Sequence, residues 1–354
     1  MTLSMLEGYV RRIRLAAHQV GRTVRLMEVC GTHTHAIGKA GLRTILPKSI
    51  ELISGPGCPV CVTSQRDVER MILLAREPDV ALCTFGDMIR VPGVNSSLEK
   101  ERARGSDIRI VSSPLHALET ARRERDKRVV FLAIGFETTA PGVASVLLRA
   151  DEESVENFSA MITHKLVVPA MEAVLEGTSD IHGFLTPGHV SVIIGADSYE
   201  DLARRKAVPC VTTGFDPMDI LEGIAMLLEL IHQGRTGSFI QYRRAVTRTG
   251  NRKAWDTMMR AFRVVDEEWR GLGQIPNSGL RLRHEFRKFD AEHVFTLPEM
   301  PRDELKGCRC GDVLRGRIYP SECPLFGKEC VPVSPVGPCM VSSEGSCAAR
   351  YRYG

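Results

Sequence analysis

The sequence predicts an α/β protein with two parallel-sheet domains and a small, cysteine-rich C-terminal domain. From residue 25 to about residue 233, short apolar runs rich in β-branched residues alternate with amphipathic helical stretches, as in strands joined by crossover helices. The apolar runs are continuous, which is typical of strands in a parallel sheet that helices cover on both faces. Beyond residue 235 the alternation stops, and six of the 11 cysteines lie between residues 308 and 354.

The composition is that of an ordinary globular protein, and it excludes several functional classes. The 354 residues include 47 Lys and Arg against 43 Asp and Glu, and this net charge of +4 gives no case for a nucleic-acid binder. The longest apolar run, residues 129–136, is much shorter than the roughly 20 residues that a membrane-spanning helix needs. Arg11-Arg12 resembles the start of a twin-arginine export signal, but Arg14 and His18 interrupt the apolar stretch required after it. We therefore expect a cytoplasmic chain with no membrane partner, whose reduced thiols bind metal or do redox work.

Eight apolar runs are predicted to be buried strands, at residues 24–29, 49–53, 80–85, 108–111, 129–134, 160–162, 191–194 and 208–212. We assign them to two α/β domains, residues 1–128 and 129–233, because the glycine-rich turns occur in two separated groups. A single eight-stranded barrel is the alternative, since roughly 250 residues suffice for one. Residues 234–354 form the third predicted domain, whose final 50 residues have too little apolar periodicity to build a core of their own.

Local signals mark the ends of several predicted helices. Ser64 and Asp67 form an N-terminal capping pattern ahead of apolar residues that share one helix face. Asp216-Pro217 begins another helix, which Gly234 ends. A further helix is expected over residues 254–269.

The C-terminal cysteines have the spacing of a metal site on a proline-rich loop scaffold. They are Cys308, Cys310, Cys323, Cys330, Cys339 and Cys347. This spacing lacks the C-x₂₋₄-C knuckles of zinc sites and both ferredoxin patterns. Four widely spaced loop cysteines can hold a [4Fe–4S] cluster, and the two left over can form a redox disulfide. A structural zinc site with unpaired thiols is the alternative.

Cys30 is a candidate reactive thiol because it ends a predicted strand and precedes Gly31 and a helix start. Parallel α/β folds bind ligands at the carboxyl ends of their strands. The helix dipole is expected to lower the pKa of this thiol. His33 and His35 are candidate proton partners. Buried packing explains a cysteine at a strand end equally well.

Cys58-Pro59-Val60-Cys61 follows the next predicted strand and precedes the helix that Ser64 caps. A Cys-x-x-Cys motif at a helix N-terminus is the geometry of dithiol redox centres. Half of a zinc knuckle is the alternative, but the chain contains no second Cys-x-x-Cys motif to complete it. Cys83 and Cys210 lie within apolar strands, where they are expected to act as small buried hydrophobic residues.

Three further glycine-rich turns follow predicted strands, at residues 84–93, 135–142 and 187–192. They contain polar residues that are candidates for lining a pocket, or for holding the loops through backbone hydrogen bonds: Asp87, Arg90, Glu137, Thr138, Thr139 and His189. No turn has the glycine pattern of a phosphate-binding or dinucleotide-binding loop, so nucleotide binding is unsupported.

Taken together, these motifs resemble those of the HypD family of [NiFe]-hydrogenase maturation factors. The matching segments are residues 30–33, 55–61, 84–93, 135–142 and 187–190, together with the whole C-terminal cysteine array. The likeness extends from about residue 25 to residue 352, with no cysteine missing. It implies two α/β domains and a cluster domain.

The resemblance implies a scaffold on which the Fe(CN)2CO group of the hydrogenase is assembled, in complex with the small chaperone HypC. HypE would deliver cyanide, which originates as a carbamoyl group received through HypF. Cys30 would hold the iron alongside a cysteine of HypC, with Cys58 and Cys61 as a redox-active pair nearby. Outside these complexes we expect the chain to be a monomer.

The resemblance further implies a C-terminal site like that of ferredoxin–thioredoxin reductase, in which a [4Fe–4S] cluster lies beside a disulfide. The cluster ligands would be Cys308, Cys323, Cys330 and Cys347, and the disulfide would join Cys310 to Cys339. Electrons would then pass from the cluster through the two cysteine pairs to the iron at Cys30. Two other functions remain open: a cluster-dependent protein-disulfide reductase and a zinc-stabilised interaction protein.

Overall fold

The structure is a computed structural model, and it describes residues 3–177, 180–300 and 306–354. Its strands, in chain order, are β1 (Val24–Glu28), β2 (Ile50–Ser54), β3 (Val80–Thr84), β4 (Asp107–Ile110), β5 (Arg128–Ala133), β6 (Phe158–Ile162), β7 (Gly183–Pro187), β8 (Cys210–Thr213), β9 (Ser238–Ile240), β10 (Phe262–Trp269) and β11 (Gly273–Leu282).

The helices in chain order are α1 (Leu3–Val20), α2 (Gly31–Lys39), α3 (Leu42–Ile45), α4 (Pro59–Val62), α5 (Gln65–Arg76), α6 (Leu98–Ala103), α7 (Pro114–Arg123), α8 (Ala140–Glu152), α9 (Val167–Gly177), α10 (Gly188–Ile194), α11 (Glu200–Arg205), α12 (Pro217–His232), α13 (Arg252–Ala261), α14 (Ala291–Val294), α15 (Cys310–Leu314) and α16 (Ser346–Tyr353). Short 3₁₀ turns occur at Gly86–Arg90, Ala196–Tyr199, His284–Phe289, Pro320–Glu322 and Pro338–Met340.

Two parallel sheets form the framework, which confirms the predicted α/β class. The first has five strands in the order β2-β1-β7-β8-β9, and the second has four in the order β4-β3-β5-β6. All pairings within both sheets are parallel. The barrel alternative is therefore wrong, because the strands belong to two separate open sheets.

The sheets are interleaved along the chain. After β2 the chain leaves the first sheet and builds the second, and it returns to the first sheet when β7 pairs with β1. Residue 128, the predicted boundary, is the first residue of β5, which pairs with β3 in the same sheet. Sheet membership therefore divides the chain differently from the predicted domains 1–128 and 129–233, because a parallel sheet can recruit strands that are distant in sequence.

Two local predictions are wrong. Residues 191–194, predicted as a strand, lie in α10, and the strand is instead β7, which ends at Pro187. A short apolar run fits a buried helix as well as a strand, so its periodicity does not distinguish them. The helix predicted over residues 254–269 ends at Ala261, after which the chain continues as β10.

The helix signals around Ser64 and Asp216 are confirmed. The Ser64 hydroxyl accepts a hydrogen bond from the Asp67 backbone N–H at 3.1 Å and caps α5. Pro217 is the first residue of α12, and Gly234 adopts a positive φ of 63° just beyond its end. Both helices bury their apolar faces against a sheet.

The largest apolar core joins both sheets to the later parts of the chain. It includes Met27 of the first sheet, Leu82 of the second, Trp269 of the β10–β11 hairpin and Cys310 of the C-terminal segment. The cysteine-rich segment after residue 306 therefore packs on the framework, although its own helices are short. In residues 3–177, 180–300 and 306–354, no helix is long and apolar enough to cross a bilayer.

Candidate functional site

A cavity of about 460 Å³ lies where the carboxyl ends of the two sheets meet. Its walls are the loops that follow β1, β2, β3, β5 and β7, together with residues of the C-terminal segment. The position agrees with the general placement of ligand sites in parallel α/β folds.

Cys30 lines this cavity at the junction between β1 and α2. Its backbone is held against the following loop, since the Gly31 N–H donates to the Gly57 carbonyl at 2.9 Å. A Cβ on Gly57 would lie only 2.1 Å from the Cys30 nitrogen, so only glycine permits this approach. The fold thus places the loop of the Cys-x-x-Cys motif directly against Cys30.

The prediction that the helix dipole lowers the pKa of Cys30 is wrong. Burial raises this pKa to about 12, with the carboxylates of Glu344 and Glu28 contributing in the same direction. The backbone N–H groups of His33 and Thr32 act in the opposite direction, but they do not compensate for burial. In the metal-free chain the Cys30 thiol is therefore protonated.

Glu28 is fully buried beneath Cys30, at the end of β1. One carboxylate oxygen accepts from the Thr34 hydroxyl at 2.5 Å, and the other accepts from the Cys30 N–H at 3.3 Å. Burial raises the pKa of Glu28 to about 7, against the hydrogen bonds that favour its charged form. This carboxylate fixes the orientation of the Cys30 loop from below.

Cys58 and Cys61 are joined by a disulfide across the first turn of α4. Cys58 is the residue before the helix, and its sulfur accepts a hydrogen bond from the Cys61 N–H at 3.2 Å. The arrangement has the geometry expected of a redox pair at a helix start. Both sulfur atoms are buried, and Pro59 and Val60 between them line the cavity.

His33 lies behind the cavity wall rather than in it. Its Nε2 atom lies 2.9 Å from the Gly214 carbonyl and 3.0 Å from the Thr213 hydroxyl. Its ring stacks on Phe215, and the other face of Phe215 stacks on His189. Burial lowers the pKa of His33 to about 4, so the imidazole is neutral.

The other polar residues of the strand-end turns divide into two groups. Asp87, Thr138, Thr139 and His189 line the cavity. Arg90 donates instead to the Val341 carbonyl at 3.3 Å. Glu137 is buried, and one of its oxygens accepts from the Val167 N–H at 3.0 Å while burial raises its pKa to about 7.

Sequence reasoning missed Glu344 and Ser342, which reach the cavity from the C-terminal segment. Glu344 accepts from the Thr32 hydroxyl at 2.7 Å, and the Ser342 hydroxyl donates to Asp87 at 2.8 Å. Neither residue has a local signal, because both lie in an irregular loop between two cysteines. Only the docking of that loop brings them to Cys30.

The six C-terminal cysteines are free thiols in one small region of the fold. The pKa of Cys308 is raised by its interaction with Cys310 and by burial. Cys308 lowers the pKa of Cys310, but Cys339 and burial raise it more. The thiols of Cys308, Cys310 and Cys339 therefore interact with one another.

Cys347 interacts electrostatically with four other cysteines of the array. Burial raises its pKa, and four neighbouring thiols raise it further: those of Cys310, Cys308, Cys330 and Cys323. The Cys330 sulfur accepts a hydrogen bond from the Val336 N–H at 3.3 Å. Within the described ranges, no three His, Cys, Asp or Glu side chains form a ready-made metal-ion site.

The C-terminal array adjoins the Cys-x-x-Cys pair. The Cys61 sulfur lies 4.0 Å from the carbonyl oxygen of Pro338, the residue before Cys339. The fold therefore aligns Cys30, the Cys58–Cys61 disulfide and the C-terminal thiols in one continuous region. Thiol–disulfide exchange and binding of a soft metal are the reactions that such an arrangement supports.

Cys83 and Cys210 lie apart from these thiols, in β3 and β8. Neither is exposed, and burial raises the pKa of both thiols. Their surroundings are those of inert core cysteines.

Comparison with known proteins assigns the family. The HypD family, described as the hydrogenase formation hypA family, matches residues 4–354. The chain belongs to the HypD family. It is 47% identical over 341 residues to the hydrogenase maturation factor HypD of Azotobacter vinelandii, covering 94% of this chain and 90% of that protein.

Two further relatives are similar over nearly their full lengths. HypD2 of Bradyrhizobium diazoefficiens is 45% identical, with 98% of this chain and 93% of that protein covered. HypD of Escherichia coli K12 is 43% identical, with 99% and 95% covered. Membership of this family supports a role for the chain in hydrogenase maturation, in partnership with other maturation proteins.

Proposed function

We propose that this chain is the cytoplasmic scaffold on which the Fe(CN)2CO group of a [NiFe] hydrogenase is assembled, with HypC and HypE as partners. The observation that carries the proposal is the contact between the Cys30 loop and the Cys-x-x-Cys loop. The Gly31 N–H donates a hydrogen bond to the Gly57 carbonyl, and both loops line the same cavity. That contact brings Cys30 and the loop of the Cys58–Cys61 disulfide beside one ligand-sized space.

In this proposal Cys30 holds the iron cargo, and a cysteine of HypC supplies a second thiolate. Low-spin iron(II) that carries cyanide and carbonyl is a soft centre and prefers thiolates to carboxylates. Binding of the cation at Cys30 displaces the thiol proton that burial retains in the metal-free chain. Thr138 lines the same cavity, and its hydroxyl can donate a hydrogen bond to a cyanide nitrogen.

The C-terminal thiols fit a [4Fe–4S] cluster by their chemistry. Four thiols are required, and Cys347 interacts with the thiol of Cys310 and with those of Cys308, Cys323 and Cys330, the remaining proposed ligands. When bound, such a cluster supplies electrons one at a time. Cys308, Cys323 and Cys330 lie in irregular chain that is rich in proline and glycine, and Cys347 lies in the first turn of α16.

Cys310 and Cys339 are proposed as the pair that connects the cluster region with Cys58 and Cys61. Their thiols interact with each other. The Cys61 sulfur lies 4.0 Å from the carbonyl oxygen of Pro338, the residue that precedes Cys339. The pair can therefore pass two electrons to the Cys58–Cys61 disulfide by thiol–disulfide exchange. The reduced Cys58–Cys61 dithiol would then act beside the iron at Cys30.

Infrared spectroscopy of the chain purified anaerobically with HypC tests the scaffold function. We expect cyanide and carbonyl stretching bands, together with iron and sulfide in the metal analysis. Cys30→Ala should lose the bands and the cargo iron but keep the brown absorbance of the cluster. Cys83→Ala, which removes a thiol buried in β3, is the matched control and should keep both.

Other results would change the assignment. Iron and sulfide without cyanide and carbonyl bands would favour a cluster-dependent protein-disulfide reductase. Zinc without iron or sulfide would contradict both redox functions. Bands that persist in Cys30→Ala would show that another residue holds the cargo.

A further inference from the structure

The tip of the β10–β11 hairpin is buried, which is unusual because hairpin tips normally lie in solvent. Trp269, Arg270 and Leu272 are 1%, 7% and 9% exposed. An arginine is rarely buried to this extent unless its hydrogen-bond donors and charge are satisfied. The environment of Arg270 therefore indicates what the tip does.

One side of the tip binds the segment that follows Cys61. The Arg270 backbone N–H donates to the Val62 carbonyl at 2.9 Å. Its Nε donates to the Thr63 carbonyl at 2.8 Å, and its Nη1 donates to the Gln65 amide oxygen at 2.7 Å. Thr63 also forms an isolated antiparallel bridge with Trp269.

The other side of the tip binds the helix that begins at Cys310. Gly271, with a φ of 71°, packs on Gly311, and a Cβ on Gly311 would lie 2.8 Å from the Gly271 Cα and carbonyl oxygen. The Arg315 guanidinium donates to the Leu272 carbonyl at 3.0 Å. Hairpin and helix thus meet backbone to backbone, an approach that leaves room for no side chain.

We propose that Arg270 is a positioning residue for electron transfer, holding the Cys58–Cys61 pair at the distance from Cys310 and Cys339 that thiol–disulfide exchange requires. This inference rests on the proposed function, which supplies the exchange between the two pairs. In this inference, the hairpin tip is the element that sets the separation between the two cysteine pairs. Arg270 contacts the segment after Cys61, and Gly271 contacts the helix that begins at Cys310.

The exchange that the tip positions runs in two steps. The Cys339 thiolate attacks the Cys61 sulfur, which forms a Cys339–Cys61 disulfide and releases Cys58 as a thiolate. The Cys310 thiolate then attacks Cys339, which forms the Cys310–Cys339 disulfide and releases Cys61. Two electrons leave the C-terminal pair, and the two protons lost by its thiols pass to Cys58 and Cys61.

A trapped first step of the exchange provides the test. In the full cluster-loaded chain, Cys58→Ser leaves Cys61 without its partner, so mild diamide oxidation should link Cys61 to Cys339, detectable by peptide mass spectrometry. We expect Arg270→Gln to lower the yield of this link at least tenfold, and Arg270→Lys to restore only part of it. Arg263→Gln, at an exposed position of the same hairpin, is the control and should leave the yield unchanged.

Gly311→Ala keeps the test decisive if Arg270→Gln fails to fold. It leaves Arg270 in place but forces Cys310 and the tip apart, so the link should again fall severalfold while the melting temperature of the chain shows that it is folded. A normal yield in either folded variant would overturn the role of the tip. Absence of the link in Cys58→Ser alone would instead overturn the exchange itself, and the role of the tip with it.

Discussion

The Thr32 hydroxyl donates to the Glu344 carboxylate at 2.7 Å, although the two residues are 312 positions apart. Thr32 lies in α2, two residues after Cys30, and Glu344 lies between Cys339 and Cys347. A Cβ on Gly31 would overlap the Glu344 side chain, at 2.4 Å from its Cβ. The loop of the proposed iron ligand and the loop of the C-terminal thiols are therefore in direct contact.

Thr32→Val should weaken this contact without changing the shape of the side chain. A hydrogen bond to a charged group contributes about 1.5–3 kcal/mol, so we expect the free energy of unfolding to fall by about 2 kcal/mol in urea titrations. The C-terminal segment should also become more sensitive to trypsin. Thr44→Val removes an exposed hydroxyl bonded only to Gly41 and should change neither quantity. Equal behaviour of the two variants would show that the contact contributes no stability.

Gly57→Ala should separate the Cys-x-x-Cys loop from Cys30. The new Cβ would meet the backbone of Val29 and Cys30 at 2.1–2.4 Å, and backbone atoms cannot rotate away. We expect a loss of about 3 kcal/mol in the free energy of unfolding, at the upper end of overpacking costs. Cargo iron should be lost in the presence of HypC.

Gly142→Ala is the matched control for that substitution. Gly142 lies in α8, and a Cβ there has no neighbour within 4 Å. Alanine should stabilise the helix by about 0.5–1 kcal/mol and leave iron binding intact. If Gly57→Ala bound iron as Gly142→Ala does, the close approach to Cys30 would not matter for the cargo.

The sequence was sufficient for features that depend on neighbours along the chain. Cys30 and Cys58 both follow strands and precede helices, and these placements follow from local apolar runs and from the Ser64 cap. The convergence of strand-end loops on one cavity also follows, because parallel strands end at the same sheet edge.

Features that depend on tertiary packing could not be predicted from local sequence patterns. The dipole at the start of α2 acts within one turn, whereas the burial that raises the pKa of Cys30 comes from segments as distant as Glu344. The recruitment of β7 into the first sheet, beside β1, is likewise a choice between two sheets that no local pattern encodes. That Glu344 lines the cavity also depends on tertiary packing, which no local pattern encodes.

Glu137 should make stability depend on pH. Burial raises its pKa from 4.5 to about 7 in the folded chain, so the folded state holds a proton that the unfolded state has lost. This contribution is fully present below about pH 4.5 and is lost as the pH rises through 7. We expect the free energy of unfolding of the native chain to fall between pH 5 and pH 7 relative to Glu137→Gln, by up to about 3 kcal/mol.

Denaturant titrations at several pH values measure this dependence. Glu152→Gln replaces an exposed carboxylate at the end of α8 and should follow the native chain at every pH. Parallel curves for the native chain and Glu137→Gln would show that Glu137 is charged in the folded state. Its role would then be to bind the Val167 N–H as a carboxylate.

Lys165 is fully buried among acidic groups. Its Nζ lies 3.4 Å from Glu267 and 3.9 Å from Asp67, and it donates to the Glu268 carbonyl at 2.8 Å. Burial alone would raise the pKa of Asp67, but Lys165 and Arg281 hold it below its ordinary value. The Lys165 ammonium group therefore links Asp67 of α5 to Glu267 of β10.

Lys165→Met should lower the free energy of unfolding by about 3–5 kcal/mol, because it leaves buried carboxylates without their cation. Adding Asp67→Asn removes one of those charges, so the double variant should recover part of the loss. Lys206→Met removes surface pairs with Glu172 and Glu176 and should cost at most about 1 kcal/mol. Additive losses in the double variant would contradict the coupling, since residues that share one charged network are expected to deviate from additivity.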